Sequence, residues 1–228
     1  MNRTFLLPLF TLALLAPARL WAQAATQGSE KWEKEIAAFE ASDREQPPEK
    51  GGIVFIGSSS IKKWTTLAAD FPHHRVLNRG FGGSEIADSV HFADRIVIPY
   101  APRMVVLYAG GNDINNGKSP EQVFADFRAF YEKVRAALPE AAIACISIAG
   151  NPKRWAQVEQ VKAANGMIAA FLKDKPRATF INVFPRMLGA DGLPLPDIFV
   201  ADQLHMNAKG YELWRDFIGP YLPPADQP

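Results

Sequence analysis

One cysteine in 228 residues, Cys145, is too few for an intramolecular disulfide or a cysteine-based metal cluster. It lies in Ile143-Ala144-Cys145-Ile146, an apolar run read as a buried strand, where a thiol acts as a small hydrophobe. Histidine is nearly as scarce, at four residues. His73 and His74 are adjacent and His91 lies in a helical stretch, so these three are read as structural or solvent-exposed and no metal site is expected. There is no excess of charge of either sign: 25 basic residues face 24 acidic ones. No basic run is long enough to track phosphates, so a nucleic-acid partner is not expected. Internal repeats, low-complexity tracts and interdomain linkers are also missing, and 228 residues suffice for one well-packed domain.

Long hydrophobic runs are lacking too. The longest, from Phe5 to Leu15, is interrupted by Pro8 and followed by Pro17 and Arg19. It falls short of the roughly 20 residues that cross a bilayer, so no stable membrane anchor is expected. The basic start Met1-Asn2-Arg3, the apolar stretch and the small-x-small pattern Ala22-Gln23-Ala24 read instead as an export signal over residues 1–24. Cleavage near Ala24 would leave residues 25–228 as the mature domain, near neutral in charge and either periplasmic or secreted. The leader has no cysteine to carry a lipid.

What the chain does have is a regular alternation. Short apolar, β-branched runs at residues 53–57, 75–78, 104–108, 143–148 and 179–183 read as strands. Helical periodicity fills the intervals. A first helix is expected over residues 29–45, with Trp32, Ile36 and Phe39 on one face, ended by Pro47-Pro48. Ser119-Pro120-Glu121-Gln122 is a capping-box pattern with proline at the first helical position. Further helices are expected over residues 155–173 and from Asn207 as N-cap. Five strands alternating with helices predict an α/β domain, a flavodoxin-like three-layer α/β/α sandwich around a five-stranded parallel sheet. In such folds ligands bind beyond the C-terminal ends of the strands.

Those ends are polar. The first strand runs into Gly57-Ser58-Ser59-Ser60, the second into Asn78-Arg79-Gly80-Phe81-Gly82-Gly83-Ser84, and the third into Gly110-Gly111-Asn112-Asp113. A proline-rich loop ends at Asp202-Gln203-Leu204-His205, just before the last helix. Ester cleavage by serine needs an exposed hydroxyl, an imidazole base, a carboxylate to orient the imidazole, and donors for the oxyanion. Candidates for each are present. Taken singly, each fragment reads more readily as a turn or cap: Gly-Ser-Ser-Ser is a loop composition, and His205 is placed to cap the helix that follows. The glycines at 80, 82 and 83 lack the G-x-G-x-x-G spacing of a dinucleotide fingerprint.

In order and in structural position, the four segments together resemble the consensus blocks of the SGNH (GDSL-like) hydrolase superfamily, over residues 51–211. The rival α/β-hydrolase elbow requires glycine two residues after the nucleophile, where this chain has Ile61. The resemblance implies Ser59 as nucleophile, with Asp202 and His205 completing a triad. It implies an oxyanion hole formed by the Ser59 and Gly83 backbone N–H groups and the Asn112 amide. Ser58 stands where the name-giving Gly-Asp-Ser motif has aspartate, and register selects Ser59 over Ser58 and Ser60.

The implied activity is hydrolysis of a small-molecule ester with no cofactor. Short O-acyl groups, especially acetyl esters of carbohydrates, lead. Lysophospholipids or acyl thioesters are the alternative substrates, and a silent glycan-binding domain is the alternative of a different class. A nucleotide-binding flavodoxin-like protein lacks the phosphate loop it would need. The loop Leu193-Pro194-Leu195-Pro196-Asp197-Ile198-Phe199 is read as an apolar groove, a packed lid or buried chain. Arg79 and Arg154 are candidate contacts for an anionic or sugar substrate, although such residues are more often surface charges. Oligomeric state leaves no mark in these residues.

Overall fold

The five apolar runs form five parallel strands in the order β2-β1-β3-β4-β5. The computed structural model of the chain describes residues 28–225, so the expected leader lies outside the described residues. The strands are β1 (Ile53–Gly57), β2 (Val76–Gly80), β3 (Met104–Tyr108), β4 (Ala142–Ile146) and β5 (Ala178–Ile181). The helices are α1 (Glu33–Glu45), α2 (Ser59–Lys62), α3 (Leu67–Asp70), α4 (Ile86–Ile96), α5 (Gly111–Asn115), α6 (Pro120–Ala137), α7 (Val158–Leu172) and α8 (Ala208–Ile218). This is the α/β sandwich expected from the alternation.

Side chains alternate across the sheet, and each face is apolar. Val54, Ile56, Val105, Leu107, Ile143 and Cys145 point to one side, against residues of α1, α4, α6 and α7. Ile53, Phe55, Met104, Val106, Ala144 and Ile146 point to the other, against α2, α3 and α8. Burial on both faces explains why the strands read as continuous apolar runs rather than alternating ones. Trp64 and Trp214, both fully buried, fill the second side. Removing such side chains from water is worth about 1.5–3 kcal/mol apiece.

Several caps follow from sequence alone. Ser119 Oγ accepts from the Gln122 N–H at 3.3 Å, and Gln122 Oε1 accepts from the Ser119 N–H at 2.8 Å. Asn207 Oδ1 accepts from the Gly210 N–H at 3.2 Å to start α8. Each cap satisfies donors that the first helical turn leaves open.

The strand ends differ from expectation by a few residues, for tertiary reasons. β2 continues to Gly80 rather than stopping at Asn78, because Arg79 and Gly80 pair with Ile56 and Gly57 of β1. β4 stops at Ile146, since the Ile148 N–H goes to Asn165 Oδ1 of α7 instead of to a neighbouring strand. The helix expected from residue 155 opens as a 3-10 segment, Pro152–Gln157, with a non-helical Arg154 (φ −122°) inside it. At the N-terminus, a 3-10 turn (Glu30–Trp32) precedes α1.

Candidate active site

β1, β2 and β3 end level with one another, with Gly57 opposite both Gly80 and Tyr108. The strand order reverses between β1 and β3, the point where this kind of sheet opens a crevice for ligands. The chain leaving β1 carries the three serines, and the chain leaving β3 carries Asn112. Gly57 makes the sharp exit possible. Its φ is +142°, and a Cβ there would lie 1.9 Å from the Tyr108 carbonyl oxygen.

The three serines separate at once. Ser58 is buried, and its N–H donates to the Tyr108 carbonyl at 3.0 Å. The Ser60 hydroxyl engages the half-buried Tyr108 phenol. Ser59, at the first position of α2, has its Oγ 3.0 Å from Nε2 of His205. The other imidazole nitrogen, Nδ1, is 2.6 Å from Asp202 Oδ2. Asp202 Oδ1 in turn accepts the N–H groups of Leu204 and His205, each at 2.9 Å. The His205 hydrogen bond, helped by those two backbone donors, holds the Asp202 carboxyl well below the usual carboxylate range. Asp202 is 47% exposed, so this ordering comes from directed hydrogen bonds rather than from burial.

The loop bearing Asp202 and His205 is pinned at its base. Phe199 and Met206 bridge antiparallel, and the Val200 N–H donates to the His205 carbonyl at 2.9 Å. Gln203, in the left-handed region at φ +58°, makes the turn, and its carbonyl accepts the Lys153 N–H at 3.1 Å. α8 follows directly. From it, the Tyr211 hydroxyl donates to the Ser60 carbonyl at 2.9 Å while its ring stacks on Trp64, with centroids 5.4 Å apart. The segment carrying the imidazole is thereby tied to the helix carrying the serine.

Asn112 lies across the crevice on α5. Its Nδ2 donates to the Ser84 carbonyl at 2.9 Å, and its Oδ1 accepts from Nη1 of Arg154 at 3.0 Å. Gly83 sits in the adjacent turn at φ +77°, and a Cβ there would come within 3.2 Å of the Trp32 ring. The cleft at the centre has a volume of about 40 Å³ and is lined by Ser59, Asn112, Arg154 and His205, with Tyr108 and Leu204 among its apolar walls. Gly83 is near the cleft through Ser84 but is not one of its lining residues. A larger cavity of about 530 Å³ opens at the other end of the strands, beside Ile53 and Val76, away from these polar groups.

Two arginines depart from the surface-charge reading. Arg79 is 6% exposed, paired with Asp43, and its guanidinium lies 4.9 Å from the ring centroids of both Phe39 and Tyr100. It serves the packing of α1 on the sheet edge. Arg154, named from the sequence as a candidate substrate contact, does line the cleft, but its bond to Asn112 is what the sequence motifs missed. No local pattern marks it, because its partner Asn112 lies 42 residues away. The loop at residues 193–199 is buried only in part: Pro194, Ile198 and Phe199 are buried, Leu193 is 49% exposed, and none of the seven lines the cleft. Among the described residues, no three His, Cys, Asp or Glu side chains gather as a metal ion would require, and no helix is long and apolar enough to cross a membrane.

The GDSL-like lipase/acylhydrolase family model matches residues 57–213. The platelet-activating factor acetylhydrolase IB subunit alpha1 of Bos taurus is 28% identical over 198 residues, spanning 81% of this chain and 79% of the relative. The Homo sapiens subunit is also 28% identical, over 81% and 80%. Among solved structures, a GDSL-like lipase from Bacteroides thetaiotaomicron superposes with a TM-score of 0.69 at 20% identity, over 85% of this chain and 96% of that one. At that identity the likeness speaks for the fold.

Proposed function

This chain belongs to the GDSL-like lipase/acylhydrolase family of ester-hydrolysing enzymes, and from that premise we propose that it cleaves short O-acyl esters through Ser59, His205 and Asp202. The observation that carries the proposal is the hydrogen-bonded chain from Ser59 Oγ through both imidazole nitrogens to Asp202. His205 Nε2 takes the Ser59 proton as Oγ attacks the ester carbonyl carbon, giving a tetrahedral oxyanion. The Asn112 amide and the Ser59 and Gly83 N–H groups are the donors assigned to that oxygen. Collapse breaks the bond to the alkoxy oxygen, which leaves as an alcohol carrying the proton from His205. Water, deprotonated by His205, then attacks the acyl-Ser59 carbonyl and releases the carboxylic acid, and Ser59 regains its proton. Asp202 stays ionised throughout and holds Nδ1 protonated, so that Nε2 is the free base.

The size of the cleft supports the short acyl group. At about 40 Å³ the cleft is small, which favours a short acyl group over a long chain. The acetylhydrolase name of the mammalian relatives points to the same group. An acetylated carbohydrate is the leading natural substrate for a protein whose first residues read as an export signal.

The test is hydrolysis of p-nitrophenyl acetate and p-nitrophenyl octanoate by the purified protein, with Ser59→Ala as control. Turnover of acetate well above octanoate, lost in the variant, is the expected result. Preference for octanoate would transfer the reading to lipid esters. Turnover that survives in Ser59→Ala would end the assignment of Ser59.

A further inference from the structure

The Asn112 side chain has an ambiguity that its chemistry must resolve. An amide has a carbonyl end and an NH₂ end of nearly the same shape, and only the NH₂ end can stabilise an oxyanion. Turned over, Asn112 would present a lone pair to the developing negative charge. Its two neighbours decide the matter. The Ser84 carbonyl, 2.9 Å from Nδ2, can only accept. The Arg154 guanidinium, 3.0 Å from Oδ1, can only donate. With an acceptor at one end and a donor at the other, a single amide orientation satisfies both. One Nδ2 proton is taken by Ser84, and the second has no protein acceptor among the described residues.

Arg154 is itself held for this purpose. Its N–H donates to Asn151 Oδ1 at 3.0 Å, fixing the non-helical bend in the 3-10 segment. The neighbouring Lys153 N–H donates to the Gln203 carbonyl, in the loop that carries Asp202 and His205, at 3.1 Å. Trp155, next along, stacks on Phe184. The guanidinium also donates to the Gly111 carbonyl at 3.0 Å, so it grips the residue before Asn112 as well. No carboxylate pairs with it among the described residues, and its full charge faces the amide oxygen. A cation at Oδ1 draws electron density from the amide and strengthens Nδ2–H as a donor.

We infer that Arg154 is a positioning residue for ester hydrolysis, one that sets the orientation and donor strength of the Asn112 amide. The inference rests on the proposed role of Asn112 at the oxyanion. It is distinct from direct binding of substrate by Arg154, which would be felt in KM and would not depend on Asn112.

A double-mutant cycle separates these roles. Steady-state hydrolysis of p-nitrophenyl acetate is measured for the parent protein, Arg154→Met, Asn112→Ala and the double variant. Arg154→Met is expected to lower kcat by about tenfold to a hundredfold, less than the hundredfold to thousandfold for outright loss of one oxyanion donor, with KM changed less than about threefold. In the Asn112→Ala background, the same substitution is expected to cost less than about threefold. An equal loss in both backgrounds, or a loss confined to KM, overturns the inference while leaving the role of Asn112 intact. Full kcat in Asn112→Ala overturns the role of Asn112 and this inference with it. Should Arg154→Met not fold, Arg154→Lys takes its place in the cycle, with the same non-additivity expected.

Discussion

His205 Nε2 lies 3.0 Å from Ser59 Oγ across a separation of 146 residues. The contact depends on two held segments: α2, fixed at the end of β1, and the loop of residues 199–206, closed by its own bridge. Tyr211 joins the two through the Ser60 carbonyl.

If that contact transfers the proton, Ser59→Ala and His205→Ala should each reduce kcat for an acetyl ester by at least about a thousandfold. Neither should shift the unfolding midpoint greatly, because both side chains line an open cleft. Combining the two should cost little more than either alone, since the pair acts as a unit. Losses that multiply would argue against a shared step.

Asn112→Ala removes the proposed oxyanion donor. Its expected cost in kcat is about a hundredfold to a thousandfold, or about 2.7–4 kcal/mol of transition-state stabilisation. Asn112→Asp should be worse than alanine, because it brings negative charge to the place where the oxyanion forms. Activity in the aspartate variant equal to that of the parent would sink the assignment.

The acid side of the pH profile should show no proton taken up by Asp202 near its ordinary value. Asp202, held by the His205 side chain and two backbone N–H groups, stays ionised well below its ordinary value of 3.8. Its depressed value places any contribution it makes to stability above 3.8 and delays its loss to still lower pH. Asp202 should therefore add no break to kcat/KM near 3.8 on acidification. A break in kcat/KM near 3.8 would contradict this.

Lys118 carries a structural prediction. Its ammonium lies within 3.0 Å of Glu85, Asp113 and Asp126, and Asp113 is fully buried, accepting also from the Ile86 N–H at the start of α4. Burial pushes Asp113 up to about 6, and Lys118 works against that rise. Lys118→Met should destabilise the protein by about 3 kcal/mol at neutral pH, because it leaves a buried carboxylate without its cation. The sign with pH follows from the raised value. Below 3.8 the acid is neutral in both folded and unfolded chains. As pH rises from there through about 6, the unfolded chain releases its proton first and stability falls. Without Lys118 that fall should be larger and extend to higher pH. Urea unfolding at pH 4.5 and pH 8 would show it, and a pH-independent gap between variant and parent would refute it.

Much of the architecture was legible in the residues because its causes are local. Apolar runs doubly buried in a parallel sheet read as continuous strands, and Ser119 with Gln122, or Asn207 with Gly210, are caps made within one helical turn. The order of the polar segments, with Ser59, Gly83 and Asn112 after strands and Asp202 and His205 in the loop before the last helix, was also present in the chain itself, and so was the family resemblance. Strand limits were less legible, since β2 runs to Gly80 only because β1 offers it partners.

What only the tertiary structure decided are relations between distant segments. Register against the family motif selected Ser59, but the physical reason that it meets an imidazole while Ser58 and Ser60 do not is the turn at Gly57 and the exit angle of α2. Arg79 has the same local character as a surface arginine until Asp43, Phe39 and Tyr100 close around it. Arg154 reaches Asn112 because a bend after β4 turns toward the end of β3, and no periodicity or spacing encodes that approach. Local sequence determines hydrogen bonds and burial within a few residues, whereas a site is a set of distances between chain segments, and those distances are settled when the sheet and its helices pack.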